Sequence, residues 1–287
     1  MPRDRYRTFS SAAPASAAPA GAGPMPAGAR GRAHTESFAQ TERSDWWWLK
    51  PLSQALGLAV LGGYATWAAL QGQHYEYGNY LSPFYSPLLR PSWLPKWVSP
   101  ALLILWAPGG FRATCYYYRR AYYRVFFLDP VACAVGEPRK GYQGEAKFPL
   151  ILQNVHRFFF IVTLVFLPIL WWDVFRAFTA DGHFVVGGGS LAILASTTLL
   201  SCYSLSCHSF RHLIGGRLDC FSCVVAGGPR HKTWSVISRL NEHHMGFAWW
   251  SLVGVCFADF YVRMCSMGII HDVVWTFRQA MDVSPNP

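Results

Sequence analysis

Five stretches of this chain, at about 51–70, 98–122, 148–177, 189–213 and 240–264, are apolar for long enough to leave water altogether. A bilayer needs about 20 such residues per helical crossing. Inside lipid the backbone must satisfy its own hydrogen bonds, so runs this long can only be helices. Composition agrees, with 14% of residues charged and 52% hydrophobic, against roughly 25% charged in soluble domains. The formal charge of +10 could suit nucleic acid, but the Lys and Arg sit between the apolar runs and read as topology signals. They fill the N-terminal segment and the loops 124–147 and 217–239, and are sparser in 71–97 and 179–188. By the positive-inside rule the N-terminus is cytoplasmic and the C-terminus outside. The expected fold class is an all-α membrane protein with five transmembrane helices, multi-pass in the plasma membrane, with the lipid bilayer and no nucleic acid as partner.

Residues 1–43 are rich in Ala, Pro and Gly and read as a cytoplasmic tail that is disordered or orders on a partner. They lack the apolar core of a signal peptide. Residues 44–270 form the membrane domain and 271–287 a C-terminal tail. Trp46, Trp47 and Trp48 beside Lys50 mark a membrane interface. His74 to Trp97, with Pro83, Pro87, Pro91 and Pro95, reads as an external loop lying on the membrane. Asp173 with Arg176, and Asp259 with Arg263, read as local ion pairs near the outer face. Eight Cys in such a chain are not expected to form a disulfide framework.

The chain also repeats itself. C-Y-Y-Y-R-R at Cys115–Arg120 returns as C-H-S-F-R-H at Cys207–His212, and D-P-V-A-C-A-V at 129–135 as D-C-F-S-C-V-V at 219–225. P-R-K at 138–140 faces P-R-H-K at 229–232, and N-V-H-R at 154–157 faces N-E-H-H at 241–244. The order is kept, which points to an internal duplication. Spans two and three then form one hairpin and spans four and five another. They make a four-helix core of two repeated hairpins related by a pseudo-twofold axis along the membrane normal.

That symmetry places Cys115, His156, Cys207 and His243 at similar depth near the cytoplasmic side, one on each helix of the core. Two thiolates and two imidazoles can hold one zinc ion or a two-iron cluster. In a Rieske-type centre two Cys hold one iron and two His the other, the symmetry of the repeat, and such a centre can pass electrons to a quinone. The expected ligands are therefore Cys115 and Cys207 on one iron, His156 and His243 on the other. Rival ligands are the repeat-matched Cys133 and Cys223, and the unmatched His208, His212 and His244. Cys202, Cys220, Cys256 and Cys265 read as packing residues. Arg112, Arg119, Arg120, Arg157 and Arg211 share the cytoplasmic half. Arg119 and Arg211 are repeat-matched and suited to offset cluster charge or dock an acidic surface. A quinone is expected in an apolar cleft at the cytoplasmic interface, near Trp47, Tyr117 and His208.

With C-H-S-F-R-H and L-N-E-H-H at Leu240–His244, residues 46–270 resemble the membrane-anchor subunit of succinate dehydrogenase, respiratory complex II, of the actinobacterial type. The resemblance implies a haem-free anchor carrying a Rieske-type two-iron, two-sulfur cluster. It also implies docking to a flavoprotein that oxidises succinate and to an iron–sulfur subunit. The flavin active site then lies on the partner, the electrons go to menaquinone or ubiquinone, and the heterotrimer can oligomerise. The related anchors carry haem b through His. Span two has no His, which argues against a pair of haems and leaves one haem between His156 and His243 as the alternative. A zinc-clipped transport or structural protein is the reading from another class.

Overall fold

The computed structural model of the chain describes residues 37–277, apart from 129–130, 139–147, 149, 181 and 217. Most of the expected tail, and with it Asp129, Arg139 and Lys140, lies outside the described residues. The helices are α1 Leu49–Gln71, α2 Trp106–Ala113, α3 Tyr116–Tyr122, α4 His156–Ala177, α5 Gly188–Leu205, α6 His208–Gly215, α7 Gly227–Glu242 and α8 His244–Ser266. Short strands β1 Glu76–Tyr77 and β2 Tyr80–Leu81 form one antiparallel pair, and β3 Thr179–Ala180, β4 His183–Gly187 and β5 Val274–Phe277 a second sheet in the order β3-β4-β5. The chain is mostly helical, and three of its helical stretches, 151–177, 188–205 and 244–266, are long and apolar enough to cross a membrane.

α5 packs along α8 and α4, α2 lies against α4, and α1 against α8. Much apolar surface remains uncovered. Ile161, Val165, Trp172 and Phe175 on α4, and Trp250, Phe257 and Phe260 on α8, are exposed. A soluble protein rarely leaves patches of this extent in water, whereas a bilayer covers them.

Two expected spans are interrupted. The run 98–122 contains a 3-10 turn at Pro100–Leu103, then α2, a break at Thr114–Cys115, and α3. The run 189–213 breaks at Ser206–Cys207 between α5 and α6. The expected basic loop 217–239 contains most of α7. Arg230 there donates to the Ile214 carbonyl at the end of α6, at 2.8 Å from Nη2.

At the end of the bundle reached by the C-terminus of α4, the 74–97 segment does more than lie on the surface. Ser82, Phe84, Tyr85 and Ser86 are buried. The Tyr85 hydroxyl donates to the Ala68 carbonyl at 2.8 Å and accepts from Gly72 N at 3.0 Å, so it finishes α1. Gly72 itself ends the helix at φ +63°, a left-handed conformation that glycine adopts without strain. Asp259 and Arg263 pair at 3.3 Å as expected, and Asp259 also accepts from Tyr64 at 2.6 Å and from Ser82. Asp173 accepts from Ser86 on the 74–97 segment, while Arg176 is exposed.

Residues 37–43 lie along the segment 131–136. Ala39 N donates to the Gly136 carbonyl at 3.0 Å, and Gly136 N returns a bond to Gln40 at 2.8 Å. Arg43 reaches the Cys133 carbonyl at 2.9 Å. A hydrogen bond from Arg43 also holds the exposed Asp45 carboxyl below its usual range. On the far side of the chain, Asp272 ties the C-terminal segment to the bundle. It accepts from Gly188 N at 2.9 Å at the start of α5, from Tyr261 at 2.7 Å and from Tyr80 at 2.7 Å. A carboxylate at a helix N-terminus meets both free N–H groups and the positive end of the dipole. Burial, followed by the bond to Asp272, pushes the Tyr80 phenol up. Replacing Asp272 with Ala strands two phenols and one helix donor. The expected cost is about 2 kcal/mol, read as a fall of roughly 4–8 °C in the melting temperature of the solubilised protein. An unchanged melting curve refutes this anchoring role.

Candidate functional site

The two helix breaks build the site. In each, a hydroxyl residue precedes a cysteine. Such side chains compete for backbone groups and interrupt helices. Thr114 Oγ1 donates back to the Gly110 carbonyl at 2.7 Å, and Ser206 Oγ to the Tyr203 carbonyl at 3.1 Å. Cys115 and Cys207 follow at the start of the next helix, each with 1% of its surface exposed. The Cys207 Sγ accepts from Ser209 N at 3.4 Å and so caps α6.

Histidines from the first turns of α4 and α8 complete the arrangement, in a crossed pattern. His156 places Nε2 3.3 Å from Cys207 Sγ and Nδ1 3.0 Å from Thr114 Oγ1. His244 places Nε2 3.7 Å from Cys115 Sγ and Nδ1 2.7 Å from Ser206 Oγ. Each imidazole thus touches the cysteine of one break and the hydroxyl of the other. The rings are held flat against aromatic neighbours, His156 on Phe111 with centroids 4.8 Å apart and His244 on Tyr203 at 5.0 Å. All four side chains line one cavity of about 210 Å³, with Thr114, Tyr117, Arg119 and His208 also in its wall. Among the described residues, no three His, Cys, Asp or Glu side chains converge on a point as ligands of a single ion do; the donors form two thiol–imidazole pairs.

A half-buried guanidinium packs against the Tyr203 ring that carries His244. Arg112 donates to the Ala248 carbonyl at 3.1 Å, to Tyr118 at 3.0 Å and to Ser251 at 2.9 Å, and lies over the Tyr203 ring at 4.8 Å. Arg112 also reaches a second, larger cavity of about 340 Å³, lined by residues of α1, α2, α4, α5, α8 and the 83–86 turn.

Residues 49–268 match the family model described as actinobacterial succinate dehydrogenase subunit SdhC. The chain belongs to that family. It is similar to a chain of the solved Mycobacterium smegmatis Sdh1 complex in the apo form, with 41% identity and a TM-score of 0.73 over 81% of this chain and 92% of that one. Among curated proteins none matches significantly. This is the membrane subunit of an actinobacterial succinate dehydrogenase, a member of an oxidoreductase complex.

For this SdhC subunit the structure brings His244, and not the expected His243, against the cysteines. His243 is exposed, standing between α7 and α8 as the C-cap of one and the N-cap of the next. His244 is 1% exposed and faces Cys115. The four repeat matches align His156 with His243, but a single residue inserted at the α7–α8 junction moves the equivalence to His244. The T-C and S-C pairs that contact these rings are the same 92 residues apart, but that spacing does not separate His243 from His244. His243 lines neither cavity. Cys133 is exposed, and Cys223 is joined to Cys220 in a disulfide, so that pair is not brought together. Cys220 is therefore not the packing residue expected, whereas Cys256 is buried in the core. Arg119 lines the cavity, but Arg211 lies over Trp234 of α7 at 4.8 Å. Tyr117 packs on His244 with centroids 5.0 Å apart, and Trp47 lines neither cavity.

The close approach of α2 and α4 that seats His156 depends on Gly110. A Cβ there meets the Phe159 ring at 2.3 Å. Gly110→Val should push α4 away from α2 and destabilise the subunit by about 1–3 kcal/mol. The check is a lowered melting temperature together with faster alkylation of Cys115 and Cys207, both buried in the native chain. Unchanged alkylation sinks the idea that this contact seals the site.

Proposed function

We propose that this chain is the anchor through which a succinate:quinone oxidoreductase passes electrons into the membrane, and that Cys115, Cys207, His156 and His244 hold a Rieske-type two-iron, two-sulfur cluster. The observation that carries the reading is the crossed contact of two thiols with two imidazoles around one small cavity. The donor set suits the group. Both Nε2 atoms face sulfur, and both Nδ1 atoms are engaged by hydroxyls, the partner arrangement that fixes a ligating imidazole. When bound, such a cluster supplies one-electron transfer at a potential raised by its imidazole ligands.

The chain's own residues do the rest. Thr114 and Ser206 orient the rings. Phe111 and Tyr203 exclude water from their faces. The Arg112 guanidinium, packed on Tyr203, offsets negative charge on thiolates and sulfide, which is costly away from water. The matched pairs Thr114/Ser206, Cys115/Cys207 and His156/His244 support an approximate twofold axis between the hairpins. Five crossings follow if α1 and the broken run 100–122 also span the bilayer. α1, with 23 residues, is about 34 Å long at 1.5 Å per residue, and presents Leu52, Leu56, Val60 and Leu70 outward. The basic segments then face the cytoplasm with the N-terminus. There they dock the iron–sulfur subunit, which receives electrons from the flavoprotein where succinate is oxidised. Menaquinone or ubiquinone is the acceptor.

The decisive experiment compares single variants of the intact complex by iron, acid-labile sulfide and quinone reduction. His156→Ala and His244→Ala should each lose one two-iron cluster per complex and abolish quinone reduction, while His243→Ala keeps both. Loss with His243→Ala but not with His244→Ala overturns the ligand assignment; full iron and sulfide in all three overturns the site. Thr114→Val and Ser206→Ala should weaken retention of the cluster by 10- to 100-fold, the usual effect of removing such a partner, measured as loss of labile sulfide against a chelator. Equal retention in these variants rules out their orienting role.

A further inference from the structure

The segment between α6 and α7 holds a second pair of sulfurs, apart from the Cys/His site. Cys220 and Cys223, spaced C-F-S-C, are joined in a disulfide. Cys223 is exposed and Cys220 half-buried, so a thiol in solution can reach the bond. A ring this short gains little of the chain entropy that makes a disulfide stabilising. The equivalent loop of the first hairpin reads D-P-V-A-C, with Pro130 where Cys220 stands, and has no second thiol to bridge. The Ser222 hydroxyl donates to Cys220 Sγ at 3.2 Å. Between the two cysteines, Phe221 is wedged into the fold. Its ring stands edge-on to His231 with centroids 5.2 Å apart and lies 5.9 Å from Trp234 of α7. A Cβ at Gly215, the last residue of α6, meets that ring at 2.7 Å, and a Cβ at Gly227, the first of α7, meets the Phe221 carbonyl. α6 opens straight after Cys207, and α7 ends at Glu242, ahead of His244. The disulfide therefore closes the loop of the hairpin that links two of the four residues at the Cys/His site.

We propose that Cys220 and Cys223 form a thiol–disulfide exchange site, open to thiol reductants of the cytoplasm, and that their bond pins Phe221 between α6 and α7. The cytoplasmic placement rests on the topology proposed above from the basic segments. Disulfides are rare in that compartment, and those found there are usually transient, catalytic or redox-sensing. Exposed disulfides are also the labile ones. Arg230, His231 and Lys232 on the first turns of α7 follow closely, a setting that favours thiolates. Attack falls on Cys223, the exposed sulfur. A thiolate of the reductant bonds to Cys223 Sγ as the Cys220–Cys223 bond breaks, and the bonding pair leaves on Cys220 Sγ. The Ser222 hydroxyl stabilises that thiolate, and a stabilised thiolate leaves faster. A second reductant thiol attacks the reductant sulfur of the mixed disulfide and frees Cys223. Two thiols are thereby oxidised to one disulfide, and their two protons end on Cys220 and Cys223. The oxidised reductant drives the same steps in reverse. Ser222 is a positioning residue, acting through Cys220. Once the bridge opens, Phe221 is no longer held from both flanks and the α6–α7 hairpin loosens.

The test uses the intact complex in native membrane vesicles of both orientations, with glutathione, a charged thiol that does not cross the bilayer, as probe. Graded mixtures of its thiol and disulfide forms are applied, free thiols are alkylated, and the peptides are identified by mass. Cys220 and Cys223 are expected to become alkylated together as the thiol form rises, and to be protected again when the disulfide form is restored. Ser222→Ala should slow the opening about tenfold, the worth of one hydrogen bond to a charged sulfur. Amide hydrogen exchange across 208–242 should rise on reduction, and Cys220→Ala with Cys223→Ala should show the raised rate under either mixture. Cysteines that stay protected in excess thiol, or that are alkylated even in excess of the disulfide form, overturn the exchange site. A wild-type opening rate in Ser222→Ala overturns the part given to that hydroxyl, and equal amide exchange in the two states overturns the pinning of Phe221. Opening is expected only in vesicles whose cytoplasmic face is outward. Opening confined to the other orientation overturns the topology on which the placement rests, while the exchange chemistry itself stands.

Discussion

Two helix breaks carry the arrangement at the Cys/His end of this protein. A continuous membrane helix spends all its backbone groups on itself and points every side chain outward from its axis. At Thr114–Cys115 and Ser206–Cys207 that regularity stops, because a hydroxyl takes a backbone carbonyl one turn earlier. The released chain restarts with a cysteine at the new helix N-terminus, where the sulfur faces inward instead of into lipid. Both breaks are buried by protein and border a cavity, the conditions under which irregular backbone is tolerated even within a membrane.

The breaks also explain the tight dependence of the site on distant contacts. Each imidazole is fixed by both breaks at once, through a hydroxyl of one and a thiol of the other. Moving either break therefore disturbs both histidines. Gly110 lets α4 close on α2, and Arg112 ties α2 to α8 through Ala248 and Ser251. Buried polar networks of this kind are costly when half satisfied, which gives the bundle one arrangement to prefer. The opposite end is fastened separately, by Tyr85 on the end of α1 and by Asp272 across α5, α8 and the C-terminal segment. That end leaves a cavity between the helices that the Cys/His network does not fill.

The expectation of His243 in place of His244 shows where reading along the chain loses accuracy. The N-E-H-H motif offers two adjacent histidines, and nothing in composition or periodicity separates them. Helix geometry does, because neighbours on a helix point about 100° apart, and α7 ends at Glu242 with α8 beginning at His244. The 74–97 segment misled in another way. Its prolines and aromatics suit a surface loop, but its tyrosine and serines hydrogen-bond to buried groups on α1, α4 and α8.

By itself the sequence determined the membrane class, the helical crossings recognised by their apolar length, the family, and three of the four side chains that meet at the site. It could do so because lipid imposes length and polarity rules that hold residue by residue, and because the C-H-S-F-R-H and N-E-H-H patterns carry side chains that meet at the site. The tertiary structure alone decided which histidine turns inward, that the contacts cross between hairpins, that Cys223 is bonded to Cys220, and that Ser86 meets Asp173 beside an apolar cavity. The crossed contacts and the Ser86–Asp173 bond depend on helix phase and on the approach of segments 38 to 129 residues apart. Such approaches are set by packing, and no local pattern in the chain encodes them.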